Sequence, residues 1–335
     1  MRDLLSGHVA AAPPGASIDW ATYYFRDRRL AQELAAAHAR GVRVTLALEA
    51  RPRTLRANQA VIALLSGPQG LGPSFRPMQM HRLAPGKIGK QRLHEKIYCF
   101  SDPEPVAFVG SFNPSGDDPE EAPDVVAEIG DHHVAHNLLV KIRDPRIVGF
   151  LCEHVRTLYR DGAWLPLGLG RGAARDCDAG DTQVHLWPRR GAHPVERLLE
   201  GYGAGSRVRI AASHLSNRFS VACLMRLARR GAQVEIAAEH TERRVPRQVE
   251  RRLAEAGIGF ARLGAAADIP MHLKFVLAEN GRERHAVFGS FNWTSQSYWL
   301  NHEVAVITRD DSVFEALDRR WRVLGLLASS PPGSA

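Results

Sequence analysis

Residues Met271 to Val306 read MHLKFVLAENGRERHAVFGSFNWTSQSYWLNHEVAV. Three short clusters in this stretch carry chemistry: His272-x-Lys274, Gly289-Ser290-Phe291-Asn292, and Asn301-His302-Glu303. A shorter version stands upstream, with His94-x-Lys96, then Gly110-Ser111-Phe112-Asn113, then His136-Asn137. One H-x-K is common in any long chain. Two copies, each followed at a matching distance by an identical G-S-F-N, mark a duplication. The distance is 17 positions from Lys96 to Asn113 (113 − 96) and 18 from Lys274 to Asn292 (292 − 274).

The duplication reaches beyond these clusters. Ala21 to Phe25 is an apolar strand pattern, followed by a helical one (Leu30, Leu34, Ala37) and by Gly41. Val208 to Leu215, then Val221, Leu224 and Leu227, then Gly231 repeat it at an offset of 190 positions (231 − 41). At the histidines the offset is 178 (272 − 94), so the first half carries an insertion of 12 residues (190 − 178) before His94. A fixed offset broken by one localised insertion is how a duplicated fold reads. The insertion lies around residues 51–90, a basic, Pro-rich segment (Arg51, Arg53, Arg56, Arg76, Arg82, Lys87, Lys90, with Arg92 just beyond). It suits a surface loop, and its place before His94 leaves a substrate gate as the alternative.

Each half reads strand, helix, strand, helix, then several strands and a long closing helix, which argues for α/β layers. In the second half Val245 to Ala256 is a helix stopped by Gly257, and Ile258 to Leu263 is a short strand. His272 to Leu277 and His285 to Phe288 alternate and are joined by the turn Glu279-Asn280-Gly281-Arg282, a hairpin pattern. Asp311 to Leu327 is the closing helix, capped by Asp311 or Ser312, with Phe314, Leu317, Trp321 and Leu324 on one face. Asp144 to Tyr159 takes that place in the first half. The expected division is a first half at 1–160, a Gly- and Asp-rich linker at 161–181, a second half at 182–328, and a disordered tail at 329–335.

Composition is that of a globular protein, with 44% hydrophobic and 24% charged residues among 335. No apolar run approaches the roughly 20 residues that span a bilayer, and no secretory signal is evident. A cytoplasmic location is expected, with peripheral membrane contact left open. Cys99, Cys152, Cys177 and Cys223 are scattered without a C-x-x-C, as for reduced thiols. The net charge of +8 fits either Arg-rich solvated helix faces or a polyanionic partner, nucleic acid or an anionic phospholipid surface. Asp19 and Asp27 read as solvated faces or caps. His132-His133-x-x-His136 has the spacing of metal ligands, but no cysteine or carboxylate set completes a zinc shell. No metal or other cofactor is expected. Trp293, Tyr298 and Trp299 fit core packing or an aromatic rim over the substrate.

The doubled H-x-K with its downstream G-S-F-N resembles the phospholipase D superfamily over nearly the whole chain. G-S-F-N-W-T together with L-N-H-E is similar to the bacterial cardiolipin synthase and phospholipase D group. The resemblance implies two similar α-β-α sandwich halves with mixed sheets, related by a pseudo-twofold axis around one site, in a monomer that is its own pseudo-dimer. It also implies a metal-independent phosphodiesterase or phosphatidyltransferase that acts on glycerophospholipids through a phosphohistidine. A nuclease of the same superfamily acting on DNA or RNA is the alternative, and a non-catalytic phosphate-binding protein the third. Cardiolipin synthases often carry N-terminal membrane helices, which this sequence lacks, favouring a soluble or peripheral enzyme.

The residue types fit that chemistry. A phosphodiester needs a nucleophile, a proton donor for the leaving oxygen, and positive charge for the other oxygens. Two histidines supply the first two. Lys96, Lys274, Asn113 and Asn292, with the hydroxyls of Ser111 and Ser290, are the candidates to hold phosphate. On strands, alternation would put His and Lys on one face, and Ser and Asn on one face, with Phe112 and Phe291 inward. The family pattern H-x-K-x(4)-D is not kept, since Ser101 (with Asp102 next) and Glu279 stand at the aspartate position. Glu303 resembles the family carboxylate that orients a catalytic imidazole. Counting back from Arg143-Asp144 and Arg309-Asp310, its first-half counterpart is Asn137. Which histidine Glu303 touches stays open. By family analogy His94 is the nucleophile and His272 the acid.

Overall fold

The computed structural model describes residues 1–72, 75–81, 90–116, 136–169, 175–191, 193–263, 270–281 and 283–329. Arg82, Lys87, His132, His133, Arg282 and the tail beyond Ser329 lie outside the described residues. The first half runs α1 (Arg2–Ala11), β1 (Ser17–Thr22), α2 (Arg28–Ala39), β2 (Arg43–Leu48), α3 (Arg56–Ser66), β3 (Lys96–Phe100), β4 (Val106–Gly110), β5 (Leu139–Ile142) and α4 (Pro145–Asp161). Then follow β6 (Asp176–Ala179), β7 (Thr182–Leu186), α5 (Pro194–Glu200), β8 (Arg207–Ala212), α6 (Arg218–Arg229), β9 (Gln233–Glu239), α7 (Arg247–Glu255) and β10 (Gly259–Leu263). The chain closes with β11 (Lys274–Glu279), β12 (Arg284–Gly289), α8 (Ser295–Trp299), β13 (Val304–Thr308) and α9 (Asp311–Ser329).

Two mixed sheets result, in the orders β2-β1-β3-β4-β5 and β10-β9-β8-β11-β12-β13-β7-β6. In each, a parallel pair spanned by a crossover helix (β1-α2-β2, β8-α6-β9) meets an antiparallel meander. The helices α2 and α6 begin at Arg28 and Arg218, and β2 and β9 at Arg43 and Gln233, which keeps the offset of 190 (218 − 28, 233 − 43). Their caps match too. Asp27 accepts from the Leu30 N–H, and Asn217 from the Phe219 and Ser220 N–H groups.

Period-2 alternation divides each sheet between two cores. Tyr98 and Phe100 of β3 face an outer core with α1 to α3, while Ile97 and Cys99 face a central core. Val276 and Ala278 of β11 face a second outer core with α5 to α7, while Phe275 and Leu277 face the same central core. The central core also takes Leu151 and Val155 of α4 and Phe314, Leu317 and Leu324 of α9. Each sheet thus lies between helices, and the two halves share an apolar interior. The closing helices are capped by equivalent residues: Asp144 accepts from Arg146 and Ile147, and Asp310 from Ser312 and Val313. The cap of α9 is therefore Asp310, not Asp311 or Ser312.

Other expectations shift. The helix read from Val245 starts at Arg247, after Pro246. The segment read as linker holds β6, which pairs with β7 and extends the second sheet. The basic insertion is not merely loop: it contains α3, and Glu49 bridges Met78 in parallel. Asp19 is not solvated but buried, with both oxygens on the Arg156 guanidinium at 3.1 and 2.7 Å. All four cysteines are free thiols. Among the described residues no helix is long and apolar enough to cross a membrane.

The glycine opening each G-S-F-N is dictated by a close approach. A Cβ on Gly110 would lie 2.2 Å from the Leu138 carbonyl oxygen, and one on Gly289 would lie 2.2 Å from that of Val304. No side chain fits between β4 and β5 or between β12 and β13 at these points. Gly110→Ala and Gly289→Ala should each destabilise the fold by about 1–3 kcal/mol in urea unfolding. Gly149→Ala, on an open helix face of α4, should instead be stabilising by roughly 0.5–1 kcal/mol.

Candidate active site

Both H-x-K segments stand at strand ends. β3 begins at Lys96 and β11 at Lys274, so each histidine precedes its strand. The serine and asparagine of each G-S-F-N lie just past β4 and β12. Strand alternation therefore does not set their common face. It is set by contacts that cross between the halves. The His94 N–H donates to the His302 carbonyl at 2.9 Å, and the His302 N–H to that of Arg92 at 2.8 Å. In mirror fashion the His272 N–H donates to the His136 carbonyl at 3.1 Å, and the His136 N–H to that of Pro270 at 3.0 Å.

The side chains cross in the same way. Nδ1 of His94 lies 2.8 Å from Oε2 of Glu303, and Nδ1 of His272 lies 2.8 Å from Oδ1 of Asn137. The open question about Glu303 is thus answered: it orients the histidine of the other half. Both partners accept, so each ring carries its proton on Nδ1 and offers Nε2.

Glu303 is fully buried. Its Oε2 also accepts from Ser290 Oγ at 2.6 Å, and its Oε1 from Ser297 Oγ at 2.7 Å and Asn301 Nδ2 at 3.1 Å. Burial alone would raise its pKa, but His94, Lys96 and Ser290 outweigh it and hold the carboxyl below its usual range. Ser111 Oγ likewise donates to Asn137 Oδ1 at 3.2 Å. Each serine oxygen in turn accepts a backbone N–H, from Leu138 or Val304. The two hydroxyls are spent inside the protein and position Asn137 and Glu303, which corrects the expectation that they hold phosphate.

Each lysine donates to the carbonyl of its own histidine, Lys96 at 2.6 Å and Lys274 at 2.7 Å. Burial pushes Lys96 down to about 7, against the pull of Glu303 and Glu95. Asn113 is nearly buried and accepts from the Tyr24 N–H at 3.3 Å, while Oδ1 of Asn292 has no partner among the described residues. Burial also lowers His94 to about 4; Glu303 opposes the fall, and both lysines reinforce it. His272 sits well below its ordinary value through burial and then the charges of Lys274, Lys96 and Arg244. Both imidazoles are neutral at rest, and each feels the lysines of both halves.

Several contributors escaped the sequence. Glu49 Oε2 accepts from the Leu93 N–H and Glu239 Oε2 from the Met271 N–H, each at 2.8 Å, so an acid pins the residue before each histidine. They keep the 190 offset (239 − 49) and were legible that way. His214 sits near Lys274, Arg244 and His94, with Nδ1 3.0 Å from Ser213 Oγ. Burial, then Arg244 and Lys274, keep it well below its usual pKa. Glu95, between His94 and Lys96, is buried with both oxygens 2.9 Å from His154 Nε2. His302 Nδ1 lies 3.8 Å away, and His302 Nε2 accepts from the Trp164 N–H at 3.0 Å. Burial would raise Glu95, but His154 and His302 bring it down to about 2. The second half has Leu273 in place of Glu95.

The remaining expectations resolve by position. Ser101 lies just past the far end of β3, beside Asp102. Glu279 lies at the far end of β11, on Arg209 Nη2 at 2.6 Å. Neither contacts a histidine. Trp293 and Tyr298 are buried in the second outer core with Trp299 against them, so packing accounts for them. His136 Nδ1 is hydrogen-bonded to Arg320.

Residues 11–143 and 202–322 match the family model described as "Cardiolipin synthase, PLD-like domain". No curated protein sequence matches the chain. The structure is similar to phosphatidylserine synthase of Haemophilus influenzae Rd KW20, at 11% identity and a TM-score of 0.63, over 98% of this chain and 84% of that one. It is also similar to polyphosphate kinase of Porphyromonas gingivalis, at 13% identity and a TM-score of 0.60, over 96% of this chain. The chain spans 48% of that kinase. At such identities the likeness shows the fold.

Imidazole ¹⁵N NMR at pH 7 should find His94 and His272 neutral, with the proton on Nδ1. Because Glu303 raises the His94 pKa, Glu303→Gln should lower it further. A protonated ring at either position in the unliganded protein, or a rise in the variant, would contradict this electrostatic account.

Proposed function

The chain belongs to the phospholipase D superfamily, and we propose that it is a metal-independent phosphodiesterase or phosphatidyltransferase acting on glycerophospholipids through a phosphohistidine. The observation that carries this is the crossed pair of contacts, Glu303 on His94 and Asn137 on His272. They leave two Nε2 atoms for one phosphate and make them chemically unequal.

Neutral His94 attacks phosphorus with Nε2. The P–N bond forms as the bond to the leaving oxygen breaks, and His272, protonated on Nε2, gives that proton to the departing alkoxide. The phosphorylated imidazole is cationic, and the carboxylate of Glu303 on its Nδ1–H offsets that charge. His272, now neutral, takes the proton of an incoming water or alcohol, whose oxygen displaces His94 from phosphorus. Asn137 has no charge to hold a proton on His272, which suits a group that must give one up. His272 is neutral in the empty site, so the anionic phosphodiester must raise its pKa on arrival. Lys96, Lys274, Asn113 and Asn292 then serve the phosphoryl oxygens.

Support for a lipid substrate comes from the family model and from the named function of the synthase with the similar fold. The net charge of +8 favours the second reading, a nuclease. We propose further that the units at 1–160 and 182–328 act as one monomeric enzyme, cytoplasmic or peripherally membrane-bound.

Assays in EDTA on mixed phospholipids, beside single- and double-stranded DNA, separate these options, and added glycerol separates hydrolysis from transfer. His94→Asn and His272→Asn should each lose at least about 10²–10⁴ in kcat on the natural substrate. With a p-nitrophenyl ester, whose leaving group needs little protonation, His272→Asn should still give a burst, and His94→Asn none. Acid-labile phosphate on His272 in His94→Asn would reverse the roles. Near-normal turnover in either variant would remove the two-histidine mechanism, no turnover by the unaltered chain would leave only phosphate binding, and activity lost in EDTA and restored by one metal would end the metal-independent mechanism.

A further inference from the structure

The basic insertion and the residues that lead into His94 enclose a cavity of about 410 Å³, lined by Arg51, Arg53, Lys90 and Arg92, with His81 and Glu49. We propose that it is a second anion subsite, which takes a further phosphate group of the same substrate molecule whose phosphodiester reacts at His94. This inference rests on the phosphodiesterase reading above.

Arg51, Lys90 and Arg92, gathered around one concavity, repel one another unless an anion offsets them. Among the described residues no carboxylate forms an ion pair with Arg51, Lys90 or Arg92. Glu49, the acid in the lining, is buried, accepts from Arg51 N–H at 3.0 Å and Leu93 N–H at 2.8 Å, and offsets part of the charge of Arg92 alone among the three.

The walls are braced rather than loose. The Arg51 carbonyl accepts from Arg92, and the Lys90 carbonyl accepts from Gln296 of the second half. Gln91 is buried, accepts from the His81 N–H at 3.3 Å and donates to the Trp164 carbonyl at 2.8 Å. A chain of contacts links the cavity wall to the reacting groups. Glu49 holds the residue before His94, and the Arg53 N–H donates at 2.7 Å to the hydroxyl of Tyr23. The Tyr23 ring centroid is 5.2 Å from that of His94 and 5.5 Å from Lys96 Nζ.

Among the described residues the second half has no copy of this arrangement. Its shorter connection places Arg244 in the interior, 3.6 Å from Glu239. The duplication therefore yields one reacting centre with this open cluster of cations on the His94 side, while on the His272 side Arg244 acts from the interior. A substrate with a second phosphate on the His94 side gains charge-assisted hydrogen bonds that one with a single phosphate lacks.

The test compares Arg51→Ala/Lys90→Ala with the unaltered chain, neither residue touching the histidines. The substrates are a short-chain phosphatidylglycerol, with one phosphate, and its headgroup phosphomonoester, with two. A 5′-phosphorylated dinucleotide provides two phosphates from a nucleic-acid source. The preference in kcat/KM for two phosphates over one should fall by about tenfold or more, through KM. The lipid and dinucleotide arms show which source the subsite serves. An unchanged preference, or equal losses on one and two phosphates, would overturn the proposal. Calorimetry with inorganic pyrophosphate reads the cavity without turnover, and binding should weaken by about tenfold in the variant. If the unaltered chain cleaves none of these substrates, the phosphodiesterase reading fails and the pyrophosphate result alone decides the subsite. Equal pyrophosphate affinity in the two proteins overturns it.

Discussion

The hydrogen bond between His94 and Glu303 joins residues 209 positions apart and holds the site together. It is short, at 2.8 Å, and the carboxylate is fully buried. A buried carboxylate is costly unless each oxygen finds donors. Glu303 has four: His94, Ser290, Ser297 and Asn301. Removing one partner would leave charge uncompensated in a dry interior, so the contact constrains the approach of the halves as well as the ring it orients. The close packing at Gly289 serves the same end, since it lets Ser290 reach Glu303.

Duplication supplies the site in two copies, and divergence makes them unequal. Glu303 and Asn137 occupy equivalent places, as do Ser290 and Ser111 behind them. Among the described residues, only the His94 side has a carboxylate on the imidazole and the buried Glu95, His154 and His302 cluster beneath it. Negative charge is therefore concentrated around the ring that, in the proposed mechanism, becomes cationic when phosphorylated. The His272 side keeps the same shape with neutral partners. In the proposed mechanism this symmetric scaffold gives its two histidines opposite proton-transfer tasks.

The parts of this arrangement encoded locally were legible in the sequence. The repeated H-x-K and G-S-F-N located the four charged or basic site residues. The constant offset located the crossover units, whose helices begin at Arg28 and Arg218. The α/β class followed from the alternation of strand and helix patterns, and the two mixed sheets from the family resemblance. Pairing between halves was not legible, because a histidine and a partner 135 or 209 positions away leave no periodic trace. The fate of Ser111 and Ser290 was misread for a related reason. Strand alternation placed them facing the substrate, but both strands stop one residue earlier and the hydroxyls turn inward. Glu95 was hidden because the position between two motif residues carries no pattern of its own; its role appears only once α4 brings His154 to it.

The central claim is that one phosphate is handled by two histidines contributed by different halves. A crystal structure of the chain soaked with orthovanadate tests it most directly. The account predicts a single vanadium bonded to Nε2 of His94, with an apical oxygen within hydrogen-bond reach of Nε2 of His272 and Nδ1 of His94 still on Glu303. Vanadate bound separately at each histidine, or at neither, would contradict it.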